Sequence, residues 1–282
     1  MNQQQAEQLD QQRKTWNTYA GGWKKWDQFL TKTMTPVSDK MIEILNLKGN
    51  KRVLDVASGT GEPGLTISKL LSDGNVNAID LSPNMVAIAN ERAKASGMKN
   101  YVSQVGQSSE IPFDDNHFDY VICRYGAMFF PDVERSLKEF LRVLKPGGKI
   151  VLAVWAAPEK NPFITLMGMT VVEKLGLPRP LPEAPGIFRF ARPGILKDIM
   201  TGAGFNNVLE RVVPGESVYD SPEHYWELTS DVAGPIMEAL KSAPKHLVQD
   251  TKKAVLHKAA NFIKDDKVYI PWEAIIVHGV KG

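Results

Sequence analysis

The chain has 282 residues, a single cysteine and a formal net charge of +2, with 43% hydrophobic residues. That length holds one large α/β domain with insertions, or a core plus a cap, and the near-neutral charge gives no electrostatic reason to expect a nucleic-acid or membrane-surface partner. No internal disulfide can form, Met1 to Lys14 lacks the basic-then-apolar layout of a signal peptide, and no apolar run approaches the ~20 residues of a membrane span, so a cytoplasmic protein is expected.

Residues 6–30 read as helical. Trp16, Tyr19, Trp23 and Trp26 recur at three- and four-residue spacing and share one face. That face either packs on a core or forms a lid, within residues 1–35, whose aromatic side chains close over a ligand. Gly21-Gly22 marks a hinge or a helix break. Pro36 to Leu47 fits an amphipathic helix with Met41, Ile42 and Leu45 inward.

Val53 to Gly64 reads as a buried strand, a glycine-rich turn and the start of a helix. The spacing Gly59-x-Gly61-x-x-Gly64 matches a nucleotide-loop pattern that is weak by itself. It leaves open a dinucleotide site, an S-adenosylmethionine (SAM) site or a tight turn with no ligand. Asp55 bears on the choice. A carboxylate in an apolar strand is costly without partners. A phosphate is repelled by it, whereas an amino-acid ammonium is not.

The helix after the loop ends at Ser72-Asp73-Gly74. Val76 to Ile79 is a second strand ending in Asp80, at the distance from the glycines where a carboxylate accepts ribose hydroxyls. Ser82-Pro83 opens a helix closed by Gly97. Tyr101 to Val105 is a third strand and Phe118 to Arg124 a fourth, with Cys123 read as a small core residue rather than a nucleophile. The apolar Tyr125–Phe130 segment lies where that strand opens into a crevice. Asp132 caps a helix stopped by Lys145-Pro146-Gly147-Gly148, and Lys149 to Trp155 is the fifth strand. The alternation predicts a doubly wound α/β sheet with right-handed crossovers over residues 36–155.

Beyond Trp155 the texture changes. Residues 156–190 carry Pro158, Pro162, Pro178, Pro180, Pro182 and Pro185 around a short helix at 164–174. A helix at 192–203, a strand at 207–213, a helical stretch at 221–262 and a strand at 273–280 follow. An insertion of ~50 residues between two strands is too long for a hairpin and is a candidate cap over the crevice.

Val53-Leu54-Asp55-Val56-Ala57-Ser58-Gly59-Thr60-Gly61 resembles the first motif of class I SAM-dependent methyltransferases. Asp80 resembles the acidic end of their second strand, Phe118-Asp119-Tyr120-Val121 their fourth, and Leu144 to Lys149 the segment before their fifth. Together these are more specific than the glycines, and the nearest resemblance is to the ubiquinone/menaquinone biosynthesis methyltransferase group. It covers residues 50–155 well. The resemblance implies a Rossmann-like seven-stranded sheet with an antiparallel last strand, to which the chain adds helical cap insertions over 156–282. It implies that Asp55 and the backbone of Ala57, Ser58, Gly59, Thr60 and Gly61 hold the methionine end of SAM. Asp80 would take the ribose, Leu81 and Met85 would flank the adenine, and Gln107 and Ser108 would meet its edge. Gln107 stands where many relatives have aspartate, which makes that contact uncharged. Arg124 would lie beside the methionine carboxylate or the acceptor.

Because SAM arrives already activated, the chemistry asks mainly for alignment and electrostatics, and a general base only if the acceptor loses a proton. His224 and Tyr225 of the insertion are the base candidates, and His117 is a surface residue. Trp16, Tyr19, Trp23, Tyr125, Met128 and Phe129 are expected around a small, fairly apolar acceptor. No cluster has metal-ligand spacing, so no metal is expected. A nicotinamide-dependent oxidoreductase and a non-catalytic SAM-binding module are the competing readings. Asp55 and Pro146-Gly147-Gly148 argue against the first.

Overall fold

A computed structural model describes residues 3–47, 49–178, 181 and 183–282. Pro180 and Pro182 of the proline-rich stretch lie outside the described residues. Strands β1 (Arg52–Val56), β2 (Asn75–Asp80), β3 (Tyr101–Val105), β4 (Phe118–Arg124) and β5 (Leu144–Trp155) run parallel. β8 (Lys267–Lys281) lies antiparallel between β5 and β6 (Phe205–Tyr219). The order β3-β2-β1-β4-β5-β8-β6 makes seven strands, and the two-residue β7 (Ile263–Lys264) pairs with β8 as an eighth. Strand order reverses between β1 and β4, so a crevice opens at their carboxyl ends, the place where such sheets bind ligands.

Helices α3 (Gly64–Leu70), α4 (Pro83–Ala95) and α5 (Val133–Val143) are the crossovers. Ser82 Oγ accepts the Met85 N–H at 3.2 Å and Asp132 Oδ1 the Arg135 N–H at 2.9 Å, the caps the sequence predicts. β5 starts at Leu144, earlier than expected. The register jumps from Phe118↔Leu144 to Tyr120↔Lys149, so Pro146-Gly147-Gly148 bulges out within the strand and does not precede it.

The two N-terminal helices are divided differently from the sequence reading. α1 (Gln3–Lys25) runs straight through Gly21-Gly22, and α2 (Asp27–Leu45) contains Pro36 instead of starting at it. The chain turns at Trp26, and the expected domain boundary after residue 35 falls inside α2. Gly22 is a crossing point: a Cβ there would sit 2.0 Å from the Asp231 carbonyl oxygen of α8 (Pro222–Val232). Lys25 and the Trp26 indole N–H both bind the Asp231 carboxylate at the same crossing, at 2.9 and 2.8 Å.

α6 (Pro162–Leu175), α8, α9 (Gly234–Lys241) and α10 (Lys245–Ala260) form a cap with its own apolar cluster, and α7 (Ile195–Gly202) packs on the main core. The cap is carried by the sheet itself. β6 continues six residues past its expected end, through Pro214-Gly215. Proline is tolerated there because β6 is an edge strand, and Gly215 gives up its side-chain space to Trp272, whose ring would lie 2.0 Å from a Cβ. The extended ends of β6 and β8 place Tyr219, Val268 and Ile270 in the cap cluster.

Gly21 has open space at its Cβ position. Gly21→Ala is therefore expected to stabilise the protein by about 0.5–1 kcal/mol through helix propensity. Gly22→Ala, one residue on, should cost about 1–3 kcal/mol as α1 and α8 are forced apart. Urea unfolding of the two variants measures both signs, and equal effects would show that α1 does not cross α8 at Gly22.

Candidate active site

The glycine loop is shaped by two buried carboxylates. Asp80 accepts the Gly59 N–H on Oδ2 at 2.8 Å and the Ser82 N–H on Oδ1 at 2.9 Å, which ties the loop to the end of β2 and the start of α4. Asp55 accepts the Gly64 N–H on Oδ2 at 3.0 Å, where α3 begins. Side chains would not fit here: a Cβ on Gly64 would lie 2.7 Å from that Oδ2, and Gly61, at φ +110°, would place one 2.7 Å from Leu65 Cδ1. Ala57 also adopts a positive φ, +57°. Ser58 donates its N–H to the Ile79 carbonyl at 3.1 Å, and the Thr60 carbonyl accepts from Arg92 Nη1 at 2.6 Å.

Asp55 Oδ1 and Ser58 Oγ are buried beside this loop with no hydrogen-bond partner. A buried polar atom without a partner is unfavourable, and a cationic ligand placed here would favour the ionised form of Asp55, which accepts its N–H donors. Burial pushes the Asp55 carboxyl up to about 8, against the pull of Arg124 and the Gly64 N–H. Burial raises Asp80 as well, opposed by the Ser82 and Gly59 N–H groups.

Arg124, at the end of β4, donates to Ser38 Oγ of α2 at 2.7 Å and to the Glu62 carbonyl at 3.1 Å, so it braces the far side of the loop. Tyr125 follows at φ +62°, its ring stacked on Trp155 at 4.1 Å and 9° and its hydroxyl buried without a partner. Met128 is buried, and the Phe129 ring meets Trp16 of α1 edge-on at 5.5 Å.

Two cavities flank α1. One, of about 380 Å³, lies over the ends of β2 and β3 and includes Leu81, Gly106 and Gln107 in its lining. The other, of about 260 Å³, includes Trp16, Phe129 and Glu238. Gln107 is also bonded to Glu110 Oε2 at 2.9 Å. Met85 packs with Ala20, Trp16 and Trp23 on α1.

Four expected site residues are engaged elsewhere. The Ser108 hydroxyl is 2.8 Å from that of Ser136 on α5. Tyr19 donates to Glu238 at 2.6 Å and accepts from Lys241 at 3.1 Å, so it is a tie between α1 and α9. Tyr225 is buried, accepting the Met167 N–H at 3.2 Å and donating to the Phe163 carbonyl at 3.1 Å. Burial also raises its phenol pKa, so its proton is held. His224 accepts the Asp220 N–H at 3.2 Å, stacks on Trp26 at 5.2 Å and touches Phe29 and Tyr219. Neither His224 nor Tyr225 lines either cavity. His224 packs against Trp26 and Phe29 of the N-terminal helices, and Tyr225 lies inside the cap, so the structure brings neither expected base to these cavities. Residues absent from the sequence reading do reach the site. Arg92 joins the loop to Asp27 at 2.9 Å, and Asn17 Oδ1 accepts from Ser82 Oγ at 2.6 Å. Neither stands in a motif, so only the fold brings them in.

This strand order, with a glycine loop after β1 and an acidic residue ending β2, defines a class I SAM-dependent methyltransferase. The chain belongs to the ubiE/COQ5 methyltransferase family, whose pattern matches residues 23–169. It is 32% identical over 178 residues to a demethylmenaquinone methyltransferase of Thermus thermophilus, covering 59% of this chain and 80% of that one. A Bacillus subtilis demethylmenaquinone methyltransferase is 35% identical over 126 residues, 44% of this chain and about half (54%) of the relative's length. Among solved structures, the YcgJ protein of Bacillus subtilis superposes with a TM-score of 0.58 over 86% of this chain and 97% of its own, at 21% identity, which speaks to the fold. The methyl donor is SAM. The orphaned Asp55 Oδ1 and the glycine turn at Gly59 and Gly61 fit its ammonium-bearing end. No helix among the described residues is long and apolar enough to cross a membrane.

Between 3.8, the ordinary carboxyl value, and about 8, native Asp55 keeps a proton that the unfolded chain releases. Its contribution to stability is present below that window and is lost as pH rises through it. Asp55→Asn should therefore flatten the fall in ligand-free stability across the window, as read by urea unfolding at several pH values. A slope identical to that of the wild type would show that Asp55 is ionised in the folded protein.

Proposed function

We propose that the protein transfers the SAM methyl group by direct in-line displacement to a small, fairly apolar acceptor held between the end of β4 and α1. The observation that carries this reading is the aromatic pair Trp16 and Phe129, from α1 and from the turn after β4, which meet edge-on and line the 260 Å³ cavity. Demethylmenaquinone, the compound in the relatives' names, is the first acceptor to test. The family match ends at residue 169, before α8–α10, and α9 brings Glu238 to that cavity.

In this reading Asp55 accepts from the ammonium of the cofactor, and the loop backbone lies against its methionine chain. Asp80 takes the ribose hydroxyls with the acceptor capacity left after its two N–H bonds. Bound SAM supplies a methyl group on a positively charged sulfur, already activated for transfer. The protein's work is then to orient the acceptor and exclude water, which α1 and the cap do by covering the crevice. Where the acceptor gives up a proton, Glu238 is the ionisable side chain lining that cavity that can take it. Tyr19 donates to the same carboxylate and orients it. The absence of an internal disulfide fits a cytoplasmic setting.

Calorimetric titration should show S-adenosylhomocysteine binding, weakened about 10- to 100-fold by Asp80→Ala, as expected for lost hydrogen bonds to a charged group. Unchanged affinity removes Asp80 from the site. Methyl transfer from labelled SAM to a panel of apolar quinols and phenols, led by demethylmenaquinone, tests the acceptor class. Transfer only to polar amines would sink it. Glu238→Gln should slow transfer to a proton-losing acceptor and leave S-adenosylhomocysteine affinity unchanged.

A further inference from the structure

The larger cavity has two walls of different origin. The inner wall is the end of the sheet, with Leu81 after β2 and Val105, Gly106 and Gln107 at the end of β3. The outer wall is α1, which contributes Ala6, Leu9, Asp10 and Arg13. These four stand at i, i+3, i+4 and i+7, so they form one helical face. Its chemistry is graded. Ala6 and Leu9 are apolar, and Asp10 pairs with the Arg13 guanidinium within the same wall. The pair ties the guanidinium to this helical face. Lys14 reaches Asp10 from the other side at 2.7 Å.

The helix is fixed close to this face. Asn17, one turn beyond Arg13, accepts from Ser82 Oγ at 2.6 Å and from the Asn84 N–H at 3.2 Å, and its carbonyl accepts from Asn84 Nδ2 at 3.1 Å. Gln12 donates to the Phe129 carbonyl at 2.8 Å. Arg13 is therefore presented to the cavity from a backbone pinned on both sides. A guanidinium offers a flat, weakly hydrated cation that stacks on aromatic faces. A slot between sheet ends and such a helix face suits a flat heteroaromatic ring, and the cavity volume lies within the roughly 300–1,000 Å³ of small-molecule pockets.

We propose that α1 completes the adenine site of the cofactor, with Leu9 packing on the purine and Arg13 stacking its guanidinium over it. This rests on the SAM reading of the crevice and adds two residues to it that no motif contains.

The test is calorimetric titration of the full chain with two ligands. One is S-adenosylhomocysteine. The other is methylthioadenosine, which keeps the adenosine and lacks the amino-acid end. Arg13→Ala should weaken both by the same factor, about three- to tenfold for a stacked cation. Arg13→Lys should weaken them as much, because an ammonium keeps the charge and loses the plane. Leu9→Asp should weaken both further. Arg13 is half-exposed, so its variants are expected to keep the wild-type unfolding transition. Unchanged affinity in both Arg13 variants overturns the proposal. Full wild-type affinity in Arg13→Lys overturns the stacking. Loss confined to S-adenosylhomocysteine would move Arg13 to the other end of the ligand and also overturn it. Failure of the wild-type chain to bind either ligand would reject the cofactor reading itself, an outcome separate from these.

Discussion

The crevice depends on burying two carboxylates at the ends of neighbouring strands. Asp55 and Asp80 sit where apolar side chains would pack more easily, and each is tolerated because loop backbone supplies donors. The result is mutual. The carboxylates need the Gly59, Gly64 and Ser82 N–H groups, and those groups, free of helix or sheet partners, need acceptors. The loop therefore has one shape, and Gly64 is confined to glycine because the Asp55 carboxylate occupies its side-chain space. What stays unsatisfied, Asp55 Oδ1 and Ser58 Oγ, marks where a ligand's donors belong.

Arg124 extends this constraint across the sheet. Its guanidinium reaches α2 through Ser38 and the loop through the Glu62 carbonyl, so the loop, β4 and the second helix move together. Burial lowers its pKa from the ordinary guanidinium value, while Tyr125, Glu62 and Asp55 act to keep its charge. The next residue, Tyr125, turns the chain at a positive φ and lays its ring on Trp155. The brace of the glycine loop and the ring that stacks on Trp155 are thus consecutive residues. The position of one sets that of the other.

The sheet core and the cofactor loop were legible because their signals are local. A strand, a glycine turn and a capped helix occupy a dozen residues at Val53–Gly64, and Asp80 and Pro146-Gly147-Gly148 carry their own context. Other features were hidden by tertiary effects. Gly21-Gly22 has the composition of a break, yet Gly22 lets α8 approach α1. Pro214-Gly215 has the composition of a turn, yet an edge strand tolerates the proline and Trp272 needs the glycine's space. Tyr225 stands in a helix that reads as a cap over the acceptor. Only the fold shows that its hydroxyl bridges the Phe163 carbonyl and the Met167 N–H inside the cap. The outer wall of the larger cavity had no signal beyond a polar helix at the start of the chain.

α1 walls both cavities of the crevice. One of its faces walls the cavity at the ends of β2 and β3, and an adjacent face carries Gln12, Thr15 and Trp16 to the cavity beside Phe129. The helix is tied to the core through Asn17 and to the cap through Tyr19 and the Asp231 crossing. A rigid element that closes two cavities cannot adjust one wall without moving the other, because packed interfaces shift as units rather than deforming locally. In the proposed assignment of the two cavities, cofactor and acceptor share a boundary whose position both help to set. Methyl transfer, which depends on alignment more than on a reactive side chain, makes that shared wall matter more than any single base.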